Sequence, residues 1–207
     1  MVEAIDGRRI DAFCKEEIFE PLGMGNTAFE PDDLIDRLAT VHMRREDGNF
    51  RPFELAPPIK PEFYGMGHAL YSTAHDYMRF LYMVLNRGQL DGNRILTETA
   101  TDRMLANQMQ YKTFQAMRTV APLITSDVEM PEGTTHSFAF VRSESDQEGK
   151  RRAGSQGWAG VCNTHFWIDQ ASNMAAVFMT QSLPFLEPRF QKTYGAYERA
   201  VYLALLP

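Results

Sequence analysis

Residues Gly157–Asp169, GWAGVCNTHFWID, constrain this chain more than any other stretch. Two glycines and an alanine surround a tryptophan, and the run then alternates aromatic and polar residues up to an aspartate. Small residues at the head of a strand leave its backbone open to close approach by a ligand. An N–H just after the last glycine is then free to face a developing negative charge, and here it belongs to Val161. The alternation predicts a strand over Trp158 to Ile168.

The rest of the chain divides by period. Ile10, Phe13, Cys14 and Ile18 recur at helical spacing, up to Pro21. Pro31 to Pro61 holds five prolines and mixed charges, and reads as a long irregular excursion, either the wall of a cleft or a surface loop. Thr73 with Asp76 forms a helix start, and Tyr77, Phe80, Leu81, Val84 and Leu85 make one apolar stripe before Gly88. Thr97 caps a second helix whose buried face carries Met104 and Leu105. From Thr135 the period changes to two. Strands are expected over His136–Arg142, Trp158–Ile168 and Met174–Thr180, joined by the charged loop SESDQEGKRRAG and the turn Ala171–Asn173. Phe190, Tyr194, Tyr197, Val201 and Leu205 mark a C-terminal helix. The class is therefore α+β: a mainly helical region over 1–134, then three antiparallel strands and a helix over 135–207.

A net charge of −6 without a basic run argues against nucleic acid or an anionic membrane as partner. No apolar stretch approaches the ~20 residues of a membrane span. The opening MVEAIDGRRI is neither a secretory signal nor a transit peptide, so a cytoplasmic location is expected. Cys14 and Cys162 read as reduced thiols, and five scattered histidines give no zinc spacing; neither metal nor cofactor is expected. His165 reads as a half-exposed strand histidine rather than a general base. Ser155 lacks the glycine two positions earlier that a nucleophile elbow requires.

Two further segments set GWAG in a context. Ile18–Phe29 reads IFEPLGMGNTAF, and Gly65–Gly88 reads GMGHALYSTAHDYMRFLYMVLNRG. In this order the three resemble the PLGM-x-x-T-x-F element, the Gly-rich loop with its ST-A-x-D helix start, and the third active-site motif of serine β-lactamase-like hydrolases. That family includes class C β-lactamases, esterases and D-aminopeptidases. The resemblance covers nearly the whole chain and implies a β-lactamase/transpeptidase-like fold. It also implies an acyl-enzyme route on an ester, amide or lactam, with Trp158, Ala159, Gly160 and Val161 in the substrate cleft. Ala159 departs from the commoner glycine or threonine. The absence of the β-lactamase lysine from this motif favours an esterase- or peptidase-like parent.

The family's nucleophile is a serine with a lysine three positions on, backed by a Tyr-x-Asn or Ser-x-Asn element. This chain has neither pattern. In the family both precede the PLGM segment, so the chain reads as a C-terminal portion with no catalytic residue of its own, inactive alone. Two alternatives stand beside that reading: a non-catalytic interaction module, and one half of a split enzyme. In the complete fold the strand resembling Met174–Thr180 pairs with an N-terminal strand, so a homodimer through that exposed edge is expected.

Overall fold

The computed structural model describes residues 1–55, 59–65 and 67–205. The chain opens with two short helices, α1 (Val2–Asp6) and α2 (Ile10–Cys14), the second continuing into a π-helical turn over Lys15–Phe19. A 3-10 helix (Asp32–Arg37) and the hairpin β1 (His42–Arg44) and β2 (Phe50–Pro52) follow. Next come α3 (Ala74–Leu85), the small hairpin β3 (Gln89–Leu90) and β4 (Asn93–Arg94), and α4 (Glu98–Leu105). Strands β5 (Thr134–His136), β6 (Val141–Ser143), β7 (Gln156–Gly160), β8 (Thr164–Asp169) and β9 (Met174–Phe178) form one antiparallel sheet in sequence order. A short β10 (Ser182–Leu183) and the long helix α5 (Pro188–Leu203) complete the chain.

Helix α3 forms where its capping pattern places it. The Thr73 hydroxyl accepts from the Asp76 N–H, closing the first turn. The buried Asp76 carboxylate also accepts from the Asn26 N–H at 2.7 Å and the Thr27 hydroxyl at 3.1 Å. One acid thus ties the helix start to the PLGM segment. Leu81, Met83 and Val84 are buried, and Tyr77 lies 5.1 Å from the Phe166 ring of β8, which in turn meets Phe140 edge-on at 5.6 Å. Burial of such side chains contributes about 2 kcal/mol each. Past the helix, Gly88 has φ 92° and an added Cβ there would strike the Leu96 carbonyl.

On the opposite face, α5 is capped by Glu187, whose carboxylate accepts from the Arg189 and Phe190 N–H groups, with Pro188 in the first turn. Its Tyr194 and Tyr197 pack on Phe178 and Trp167. The sheet is thus enclosed between α3 and α5. One cluster of buried apolar side chains runs from Phe19, Leu22 and Phe29 through α3 to Phe166 and Ile168.

Three expectations need correction in detail. The sheet has five strands rather than three, because two of the expected strands are each a hairpin. His136–Arg142 breaks at Ser137, whose hydroxyl accepts from the Ala139 and Phe140 N–H groups while its own N–H donates to the Phe140 carbonyl. A serine that bonds the local backbone in this way competes with the ladder. Trp158–Ile168 folds back at Val161–Asn163, where Asn163 holds φ 60°. Alternation survives both turns, which hides them from a period count. Finally, the Pro31–Pro61 excursion is not irregular throughout: it holds the 3-10 helix and the β1–β2 hairpin, and β1 pairs in parallel with β10. Strands of three residues are too short to show a period, and β1 draws its partner from 140 positions away (His42 to Ser182). Pro57 and Pro58 of that stretch lie outside the described residues.

Candidate active-site cleft

Strand β7 is paired unequally along its length. On one side Gln156–Gly160 pairs residue by residue with Ile168–Thr164 of β8. On the other side β6 pairs only with Gln156 and Gly157, through Arg142 and Val141. Trp158, Ala159 and Gly160 therefore have a strand partner on one edge alone. The other edge carries main-chain polar groups outside any described ladder, which is the arrangement that lets an extended ligand lie along a strand. Trp158 is 44% exposed and Val161 41%, Gly160 is exposed and Ala159 is half-buried.

The same strand is held firmly at both ends. Gln156 is buried and its amide donates to the Leu105 carbonyl at 2.8 Å, joining β7 to the end of α4. Gly157 admits no side chain, since an added Cβ would sit 2.5 Å from the Phe166 carbonyl and 3.3 Å from the Arg151 guanidinium. At the far end the fully buried Asn163 donates to the Ser182 and Pro184 carbonyls, at 2.8 and 3.0 Å, and accepts from the Leu186 N–H at 2.8 Å. The Ser182 N–H donates to the Cys162 carbonyl, and the Thr180 hydroxyl lies 2.8 Å from that same oxygen. The turn after Gly160 is thereby fixed to the segment that carries β10. Beside the open edge, Trp158 meets His136 edge-on at 5.5 Å, and His136 stacks on Phe114 at 5.7 Å. The His136 Nδ1 sits against the Ser137 carbonyl, so the proton belongs on that nitrogen.

Behind the strand lies a buried charged group. Arg151 sits 5.2 Å over the Trp167 ring, bonds Glu198 at 2.7 Å and the Tyr194 hydroxyl at 3.1 Å, and Lys150 reaches the other Glu198 oxygen at 3.0 Å. Burial pushes the Glu198 carboxyl up, but its two cationic partners outweigh this and hold it below the usual carboxylate range. His165 is buried rather than half-exposed: Tyr194, Phe190 and Phe185 surround its ring at 4.4, 5.1 and 5.9 Å. Burial, followed by the charge of Arg151, lowers its pKa to about 4, and its Nε2 has no partner. It faces α5, away from the Trp158 side of the sheet, and offers no base to the cleft. Ser155 is also buried, its hydroxyl spent on the Arg152 carbonyl at 2.5 Å.

The four residues singled out by the sequence thus occupy consecutive positions at the open end of β7 and in the turn that follows. Phe114, His136 and Asn163 were not picked out by the sequence reading; only the asparagine carried a signal, as a turn former that tolerates positive φ. Among the described residues, no group of His, Cys, Asp and Glu is placed to hold a metal ion, and no helix is long and apolar enough to cross a membrane.

The beta-lactamase family profile matches residues 1–200. The chain belongs to the beta-lactamase family. Among curated relatives, an uncharacterized protein of Mycobacterium tuberculosis is 27% identical over 194 residues, 90% of this chain and 47% of the relative. Monacolin J acid methylbutanoyltransferase of Aspergillus terreus is 24% identical over 216 residues, 98% of this chain and 51% of that protein. The chain thus spans about half the length of the curated relatives it matches. Among solved structures, simvastatin synthase from Aspergillus terreus superposes with a TM-score of 0.78 at 20% identity, over 99% of this chain and 52% of that one. A hydrolase with promiscuous acyltransferase activity gives 0.70 at 17%, over 92% and 50%. A penicillin-binding protein homolog from Caulobacter crescentus gives 0.61 at 19%, over 95% and 54%. These likenesses establish the β-lactamase/transpeptidase-like fold that the three motifs implied.

Proposed function

We propose that this chain is the substrate-cleft portion of an acyl-transferring enzyme, acting on an ester, amide or lactam through an acyl-enzyme whose serine and lysine lie outside these 207 residues. The observation that carries the reading is the one-sided pairing of Trp158–Gly160. A carbonyl substrate lies along that free edge, Trp158 covers its apolar part, and the Val161 N–H helps bind the oxyanion. The hydrolase and acyltransferase named among the similar proteins support the reaction class.

The chain alone is inactive on this view. Without a nucleophile and its base, the covalent step loses many orders of magnitude in rate. The test is incubation with p-nitrophenyl butyrate and with nitrocefin: turnover above background, whether or not Ser155→Ala abolishes it, would overturn the proposal. Addition of a separately expressed segment carrying Ser-x-x-Lys and Tyr-x-Asn should restore turnover if the two parts can assemble.

Two further points belong to this proposal. The edge strand β9 pairs with β8 alone among the described strands, and MAAVFMT carries no charge, so a second copy is the partner that best fits it. The free thiols Cys14 and Cys162 suit a reducing compartment, the cytoplasm.

A further inference from the structure

A cavity lies in the helical region, and none of its lining belongs to Trp158–Val161. It has a volume of about 190 Å³ between the residues after Phe29 and a wall made by Gly65, His68, Ala69 and Tyr71. Phe29, Tyr64 and Ala69 form a buried floor, the two rings 5.0 Å apart. Ile35, Ile59 and Phe63 stand at its rim, 57%, 76% and 76% exposed. Large apolar side chains gathered so openly around a concavity are a mark of ligand binding.

One wall of this apolar pocket is charged. A Glu30 oxygen accepts from the Lys60 N–H at 2.7 Å and from the Tyr64 hydroxyl at 2.8 Å. Both donors are neutral, and Glu30 forms no ion pair among the described residues. These bonds orient the carboxylate without cancelling its charge. The Arg9 guanidinium stands 5.2 Å over the Tyr64 ring but pairs with Asp11, so a carboxylate bordering this apolar cavity favours a ligand that brings its own cation and disfavours an anionic one. The volume sets the size of the rest, since an apolar cavity of ~150 Å³ holds one benzene ring.

We propose that this pocket binds a protonated primary amine carrying a single apolar ring or a branched chain of similar size. The ammonium pairs with Glu30, while the apolar group rests on Phe29, Tyr64 and Ala69 beneath Ile59 and Phe63. The site is independent of the β7 cleft and does not rest on the acyl-transfer reading.

The test compares three probes of one shape, 2-phenylethylamine, 2-phenylethanol and phenylacetate, titrated into the chain and followed by calorimetry. All three titrations are run in one buffer at pH 8. The amine should bind at least tenfold more tightly than the alcohol, and phenylacetate more weakly still. Glu30→Gln should erase the amine's advantage. The double variant Ile59→Ala, Phe63→Ala alters exposed side chains only; it should weaken all three probes severalfold and leave the melting temperature unchanged. Equal affinity for the three probes, amine binding unaltered in the rim variant, or no amine binding at millimolar concentration would each overturn the proposal. The probe comparison and the rim variant decide the matter even if Glu30→Gln fails to fold.

Discussion

Acidification should destabilise this fold through His165 before it reaches the carboxylates. In the unfolded chain an imidazole takes its proton near pH 6.5, whereas in the fold the pKa of His165 is about 4. Between those values the unfolded state binds more protons, so its population grows as pH falls. The stability linked to His165 is whole above about pH 6.5, declines as pH drops, and is lost by about pH 4. The full shift corresponds to roughly 3 kcal/mol, of which about 2 kcal/mol has gone at pH 5. Asp169 and Glu198 are held below their ordinary range and act in the same direction, but their stability is lost only as pH falls through the carboxylate region. The assay is urea unfolding at pH 7 and pH 5, followed by fluorescence and circular dichroism. With a urea slope of about 2 kcal/mol/M, the midpoint should fall by about 1 M. His165→Phe keeps the stacking against Tyr194, Phe190 and Phe185 and removes both the titration and the unpaired Nε2. Its midpoint should hardly move between the two pH values. An equal loss in the chain and the variant would show that the acid sensitivity arises elsewhere and refute the reasoning.

Asn163→Ala should cost about 2 kcal/mol, because it leaves two half-buried carbonyls and the Leu186 N–H without their side-chain partner; an unchanged urea midpoint would show that the turn is not held as described. Light scattering on a sizing column should find a dimer at micromolar concentration, weakened by Met179→Lys, if β9 pairs with its copy; a well-behaved monomer would end that idea.

Much of this fold was legible because its signals are local. Thr73 and Asp76 lie three residues apart, and the stripe from Tyr77 to Leu85 needs only one helix to be seen. The five-strand sheet was half legible. Alternation marked the strand regions, but Ser137 and Asn163 reverse the chain with side-chain hydrogen bonds that leave the alternation intact. The β1–β10 pairing was not legible, since neither strand exceeds three residues and each depends on the other. At the candidate site the motif singled out Trp158–Val161. It could not give the missing partner on one edge of β7, which depends on where β6 begins.

That missing partner follows from the two turns together. Ser137 reverses the chain so that β6 starts at Val141, opposite Gly157, and β6 runs away from Trp158. Asn163 reverses it again so that β8 returns along the other side of the same three residues. Had His136–Arg142 remained one strand, no turn at Ser137 would have set where pairing with β7 begins. An edge freed in this way would ordinarily fray, since half its ladder is absent. Here Gln156 is tied to Leu105 at one end, and Asn163 to Ser182, Pro184 and Leu186 at the other. The strand is therefore unpaired along one edge and still anchored at both ends. A binding edge needs both, because a strand that must be ordered on binding spends affinity on its own conformational entropy.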